Sequence, residues 1–342
     1  MKTQFIPIDS PQETAKLQAA GKVLREGGLC AIPTETVYGL AANALDGEAV
    51  KKIFEAKGRP QDNPLIVHIS CMDELPPLVR TIPQTAIALA EAYWPGPLTI
   101  ILPKADIIPE AVTCGNTTVA IRMPSHPIAN AIIRAAGVPL AAPSANLSGK
   151  PSPTTAQHVL HDLDGRVDMI VDGGECAVGV ESTVVTLCGE KPRLLRPGGI
   201  TLEQLTAVLG EVEVDKAVFH VLEQGEKPAS PGMKYQHYSP DADVFLIKGD
   251  VEAVAQYASG FDTQTTAVIC FDGEQSLFPH TTYAIGAPQD GEAHAHAIFG
   301  VLRQADDDGF QTVLIHHPPQ DGVDMAVLNR LLRAAAFRVI EV

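Results

Sequence analysis

The sequence predicts an α/β protein in two parts. Three observations carry that expectation. The chain has 342 residues, a length that suits about two domains. Short β-rich runs alternate with helical patterns along most of it, and many of the strand candidates are continuous apolar runs, as in a sheet covered on both faces. An interval over residues 211–241 has little apolar periodicity and contains KPASPGMKYQHYSP, which reads as an extended linker between two such rhythms.

In chain order, FIPI at residues 5–8 is the first strand. A helix follows over 11–27, with Ser10 as N-cap, Pro11 at its first position and Glu13 completing a capping box. LCAIPT is the next strand. Asp46 caps a helix carrying Val50, Ile53 and Phe54 at helical spacing. Further strands are LIVHI, LTIILP, TVAIRM, PLAAPSA, DMIVDG and STVVTL, with helices over 83–93, 126–136, 154–163 and about 202–209. Beyond the linker come DVFLIK, a helix from Asp250, TAVICF, TYAIG, a helix over 290–305, TVLIHH, a helix over 324–336 and RVIEV. These make a small open sheet of roughly 100 residues. The expected domains are therefore 1–210, a linker over 211–241, and 242–342.

Composition narrows the function. Aromatic residues are 5% of the chain, with one Trp, which argues against a surface of stacking platforms for single-stranded nucleic acid. The net charge is −16, so no phosphate-backbone footprint covers the whole chain. The charge is uneven: residues 1–200 carry a net of −3 and residues 201–342 a net of −13. An anionic ligand belongs on the first part. The six cysteines form no C-x-x-C pair, and most lie beside apolar residues, as small core residues in a reducing compartment do. The N-terminus has no apolar signal region and no run of about 18 apolar residues occurs, so the expected location is the cytoplasm. His294, His296, His316 and His317 lack a matching set of further ligands, and no metal site is assigned.

Walker, dinucleotide-fingerprint, nucleophile-elbow and zincin motifs are absent. What remains is a set of polar clusters set into apolar strands of the first part. In PTETVYGLAANA, Thr34, Glu35 and Thr36 fill the turn after a strand, where hydroxyls meet a small polar ligand or simply cap a helix. In KGRPQDNPLIVH, Lys57 and Arg59 end a helix, Asn63 lies in a turn and His68 in the next strand; cations at a helix end are ordinarily dipole partners. Arg122 interrupts the strand TTVAIRMP, so it needs a carboxylate of the protein or of a ligand. PLAAPSANLSGKPSPT places Ser144, Asn146, Ser148 and Ser152 on a loop of small residues that can cradle phosphate. Ser182 in VGVESTVV and Arg196 in LLRPGG complete the set.

Together these clusters resemble the YrdC-type threonylcarbamoyl-AMP synthases in their long two-domain form. The shared strings are PTETVYGL, KGR with NPL and His68 after it, WPGPLT, AIR-P, PSAN-SG, ESTVV and LRPG, in order over about residues 29–199, with PGMKYQHYSP and the acidic tail matching the long form. The resemblance implies a twisted α/β sheet with a large concave cavity and a smaller Rossmann-like domain. It implies that L-threonine, bicarbonate and ATP give threonylcarbamoyl-adenylate and pyrophosphate, and that partner proteins then carry the group to tRNA. Residue by residue, Lys57, Arg59, Ser144 and Asn146 match the family's basic and polar tetrad. Arg59, Asn63, Thr118, Ser144, Ser152, Arg196 and Tyr235 go to ATP. Thr34, Thr36, His68, Arg122, Ala142 and Ser182 go to threonine. Mg²⁺ is expected on the triphosphate, and the linker is expected to close over the cavity. Two other readings stand beside this one. One is weak binding of double-stranded RNA, which the charge distribution disfavours. The other is a carbamoyltransferase like those of hydrogenase maturation, whose zinc-finger-like cysteine motifs this chain lacks.

Overall fold

A computed structural model describes residues 2–220 and 237–342. Tyr235 and most of the Pro-rich interval lie outside the described residues. Among those described, two sheets organise the chain.

The first sheet has eleven strands: β1 (Gln4–Pro7), β2 (Cys30–Ile32), β3 (Gly39–Asn43), β4 (Ile66–His68), β5 (Leu98–Pro103), β6 (Thr118–Arg122), β7 (Leu140–Ala141), β8 (Met169–Asp172), β9 (Thr183–Thr186), β10 (Arg193–Arg196) and β11 (Glu213–Val214). Their spatial order is β1-β8-β2-β3-β7-β4-β6-β5-β9-β10-β11, and the pairing is mixed. The second sheet holds β12 (Asp243–Lys248), β13 (Thr266–Cys270), β14 (Thr281–Ala284), β15 (Thr312–His316) and β16 (Val339–Glu341). It is parallel throughout, in the order β14-β13-β15-β12-β16.

The apolar runs behave as their composition dictates. β2, β4 and β13 are buried at every position, so their side chains face packed layers on both sides. Asp46 does cap the helix Gly47–Lys57, accepting from the amides of Glu48 and Ala49. The helix expected over 11–27 is shorter, Thr14–Arg25. Ser10 is not its N-cap: residues 10–12 form a turn, and Glu13 instead reaches back to accept from the amides of Asp9 and Ser10 at 2.7 and 3.2 Å. PLAAPSA pairs regularly only at Leu140–Ala141, because Pro143 has no amide to donate. β3, β10 and β11 were not expected; they are short, and Glu213 in the last is a polar residue of the edge strand. Residues 211–220 hold the sheet edge: β11 pairs parallel with β10, and Ala217 and Val218 are buried beside it. Of the cysteines, Cys30, Cys176 and Cys270 are core residues, whereas Cys71 and Cys188 are exposed.

The two sheets share their packing. Val37 and Val180 of the first unit belong to the second unit's apolar cluster, and Met325 of the second belongs to the first's. The second unit packs its helices Gly291–Asp307 and Asp324–Ala334 toward the first. His294 and Asp324 tie these helices together at their N-terminal ends. His294 Nδ1 lies 2.7 Å from Asp324 Oδ1, and Nε2 lies 2.8 Å from the Ala287 carbonyl. Both ring nitrogens face acceptors, which only the doubly protonated ring satisfies. Burial works against that charge, but the Asp324 contact outweighs it, and the His294 pKa is raised. A raised folded pKa gives stability that is present below the unfolded value of about 6.5 and is lost as pH rises through the folded value. His294→Gln should therefore cost most at pH 5.5–6.5, and the gap to the wild type should shrink toward pH 9 in urea unfolding measured across that range.

Candidate active site

The ends of four strands converge on one hollow. β4 and β6 are parallel with His68 opposite Arg122, so both residues stand at the same end of adjacent strands. β9 begins directly after Ser182, and the antiparallel β10 ends at Arg196, opposite Val184. The turn after Arg196 packs straight onto β9: a Cβ on Gly198 would stand 2.3 Å from the Thr183 amide nitrogen, so only glycine fits there. Across the hollow, the helix Gly47–Lys57 ends at Gly58 in the left-handed region, φ 61°. That turn sends Arg59 back along the helix end, its amide donating to the Phe54 carbonyl at 2.9 Å.

These residues line one common hollow. Thr34, Thr36, Lys57, Arg59, His68, Arg122, Ala142, Ser144, Asn146, Ser182 and Arg196 are all in its wall. Asn63 lines an adjoining recess that shares Arg59, Ser148, Gly149 and His237 with the main cavity. Two of the expected residues stand elsewhere. Thr118 opens β6, at the far end of the strand from Arg122, and is not in the wall. Ser152 is fully buried behind it and donates its hydroxyl to Glu181 Oε1. In this arrangement Ser152 supports the wall rather than facing the hollow.

Lys57 does not act as a dipole partner of its own helix. Its ammonium crosses to the small-residue loop, donating to the Ser144 carbonyl at 2.5 Å and to the Asn146 carbonyl. Ser144 Oγ donates to Asn146 Oδ1 at 2.6 Å, and Asn146 Nδ2 donates to the carbonyls of Leu147 and Lys150. The loop is thereby folded around one buried cation. Burial, helped by the nearby Arg59, pushes the Lys57 pKa well down. Arg59 itself, lowered by burial to about 10, donates one nitrogen to the Asn63 carbonyl at 3.1 Å and leaves Nε without a hydrogen-bond partner among the described residues.

Arg122 is a buried cation with a carboxylate beside it. Nη2 lies 2.7 Å from Glu35 Oε1, a close ion pair that is off-line for a hydrogen bond. Nη1 donates to Thr36 Oγ1 at 2.8 Å; Thr36 in turn lies 2.8 Å from Thr34 Oγ1, which donates to the Val37 carbonyl at 2.6 Å. The relay leaves hydrogen-bonding capacity at Nη2 and gives the hydroxyls a fixed direction. Burial opposes the Glu35 charge, yet Arg122 holds its carboxyl below the usual range. Burial, then Arg122, lowers the His68 pKa to about 3, so this ring is neutral and its Nδ1 stays within 3.2 Å of the Ile66 carbonyl.

On the facing wall, Arg196 Nε donates to the Ser182 carbonyl at 3.1 Å and Nη2 to Ser182 Oγ at 3.2 Å, while Ser182 Oγ also meets Thr99 Oγ1 at 2.8 Å. Burial lowers the Arg196 pKa to about 10. Sequence reasoning gave no role to Glu181, His237 or Tyr238, all of which line the cavity. Tyr238 packs on Phe299 at 5.3 Å between ring centroids. Its backbone is left-handed, φ 63°, a conformation that no pattern in QHYSP announces.

Comparison with known proteins now places the chain. A family model described as "Telomere recombination" matches residues 22–198, and one described as "Threonylcarbamoyl-AMP synthase, C-terminal domain" matches residues 200–336. The chain belongs to the threonylcarbamoyl-AMP synthase family. The Bacillus subtilis (strain 168) threonylcarbamoyl-AMP synthase is 46% identical, and that of Pyrococcus abyssi 44%; each comparison covers 99% of this chain and 100% of the relative. A crystal structure of P. abyssi Sua5 complexed with L-threonine superposes with a TM-score of 0.92 at 42% identity, covering 99% of this chain and 100% of that one. A twisted mixed sheet with a second parallel-sheet unit is thus the shared fold, and the chain is an enzyme of this family.

The buried pairing at Arg122 sets a stability test. Arg122→Gln strands the Glu35 carboxylate without its cation and should cost about 3–5 kcal/mol in urea unfolding. The double variant Arg122→Gln, Glu35→Gln should recover most of that loss, because no buried charge is then left unpaired.

Proposed function

We propose that this enzyme makes L-threonylcarbamoyladenylate from L-threonine, bicarbonate and ATP, releasing pyrophosphate, as the first step of threonylcarbamoyladenosine formation in tRNA. The observation that supports this reading is the convergence of Lys57, Arg59, Arg122 and Arg196 with Ser144, Asn146 and Ser182 on one hollow. Buried cations that depress one another's charge are relieved by an anion, and a polyphosphate beside an amino-acid carboxylate supplies several.

In this reading Arg122 takes the threonine carboxylate through the hydrogen-bonding capacity left at Nη2, while Thr34, Thr36, His68, Ser182 and the backbone at Ala142 surround the rest of the amino acid. Neutral His68 adds a hydrogen-bonding group without a second positive charge. Arg59, Asn63, Ser144 and Arg196 take the nucleotide. Threonine's amine attacks carbon dioxide formed from bicarbonate and loses a proton, giving a carbamate. A carbamate oxygen then attacks the α-phosphorus; the bond to the β-phosphate's bridging oxygen breaks and pyrophosphate leaves. No side chain forms a covalent bond. Lys57 shapes the Ser144–Asn146 loop, and the arginines stabilise the charge that develops on the phosphates.

Glu181 is the carboxylate of the wall, and both its oxygens are already engaged. The wall therefore fits a triphosphate better than a protein-held cation. Mg²⁺ bound to phosphate oxygens and water would neutralise charge there. No helix among the described residues is long and apolar enough to cross a membrane. The adenylate would pass to separate proteins that carry the threonylcarbamoyl group to tRNA.

With ATP, threonine and labelled bicarbonate, mass spectrometry should detect labelled threonylcarbamoyl-adenylate, and pyrophosphate release should require both other substrates. Arg59→Ala should lower that release by about 100-fold or more. Release at the wild-type rate without threonine would refute the reading.

A further inference from the structure

The first unit does not hold the cavity in shape alone. Two arginines from the second unit reach it from behind. Arg330, in the helix Asp324–Ala334, is completely buried. Its Nε donates to Glu181 Oε2 at 2.7 Å, its Nη2 to the Glu181 carbonyl at 3.1 Å and its Nη1 to the Pro197 carbonyl at 2.9 Å. Glu181 immediately precedes Ser182, and Pro197 immediately follows Arg196. One guanidinium thus ties together the two chain segments that present Ser182 and Arg196. Burial alone would disfavour the Glu181 charge, but Arg330 and Arg196 keep its carboxyl below the usual range.

Arg303, in the helix Gly291–Asp307, makes a bidentate pair with Asp162 at 3.0 and 2.8 Å and donates to the Pro151 carbonyl at 2.5 Å. Asp162 Oδ2 in turn accepts from the Leu147 amide at 3.2 Å. Leu147 follows Asn146, so this second fork anchors the Ser144–Asn146 loop on the opposite wall. Neither arginine lines the cavity.

A buried ion pair is a poor way to add stability, since apolar residues of the same volume often do better. A planar fork fixed on a carboxylate and on backbone carbonyls does define direction and distance. Errors of about 1 Å in such placement cost on the order of 100-fold in rate.

We propose that Arg330 and Arg303 are positioning residues that set the two facing walls of the substrate cavity, so that the second unit governs substrate affinity without touching substrate. This rests on the reaction proposed above. Arg330 holds the wall assigned to threonine and to ATP, and Arg303 holds the loop assigned to ATP alone.

The test is steady-state pyrophosphate release by the full chain, with melting temperatures for every variant. Arg330→Lys should raise KM for both threonine and ATP by about tenfold or more, and Arg303→Lys should raise KM for ATP while leaving that for threonine near the wild-type value. Arg330→Gln combined with Glu181→Gln should be no worse than Arg330→Gln alone, since one acts through the other. Arg338→Ala, which removes a surface pairing with Asp243 in the same unit, should leave both KM values unchanged. Wild-type KM values in folded lysine variants would overturn the proposal, as would losses confined to kcat that follow the melting temperature. Should the glutamine variants not fold, the lysine variants decide. If those are unfolded too, the arginines are props of the fold and the proposal falls. Wild-type release that ignores threonine would instead overturn the reaction assignment, whatever the variants do.

Discussion

The structure depends on keeping positive charge buried around an open hollow. Lys57, Arg122 and Arg196 are each at most 5% exposed, and Arg59 stands beside them. Cations so placed are costly unless each finds acceptors. The protein meets this cost locally and differently at each position: backbone carbonyls for Lys57, the Glu35 carboxylate and Thr36 for Arg122, the Ser182 carbonyl and hydroxyl for Arg196. None of these arrangements collapses the hollow, because the partners lie beside or behind the cation. The result is a preorganised anion site in a chain whose net charge is −16.

That arrangement explains why the second unit is joined so closely to the first. Glu181, in one wall, and Asp162, behind the other, are buried carboxylates, and each would be a liability without its own cation. The cations come from the second unit, on the two helices that His294 and Asp324 pin together. The acidic character of that unit, a net of −13 over residues 201–342, lies elsewhere on it. Asp306 shows one such use: it accepts from the amides of Asp241 and Ala242 and so fixes the chain's entry into β12.

Much of the site was legible before any coordinates. Arg122 stood out because a cation inside an apolar strand needs a partner, and the partner proved to be Glu35, in the turn already singled out for its hydroxyls. The Ser/Gly/Pro loop was recognisable by composition. The role of Lys57 was not, since a lysine at a helix end ordinarily serves its own helix. Ser152 and Thr118 were placed by motif rather than by direction, and strand alternation over short irregular segments does not tell which way a hydroxyl points.

The sequence by itself determined the α/β class, most of the buried strands and the identity of the charged groups that had to be satisfied, because periodicity and burial cost act locally along the chain. The tertiary structure alone decided which acceptor each cation meets, that Glu181 stands in the wall, and that Arg303 and Arg330 reach it across 141 and 149 residues of chain. Those pairings depend on sheet order and on the docking of two units, and no short-range pattern carries either.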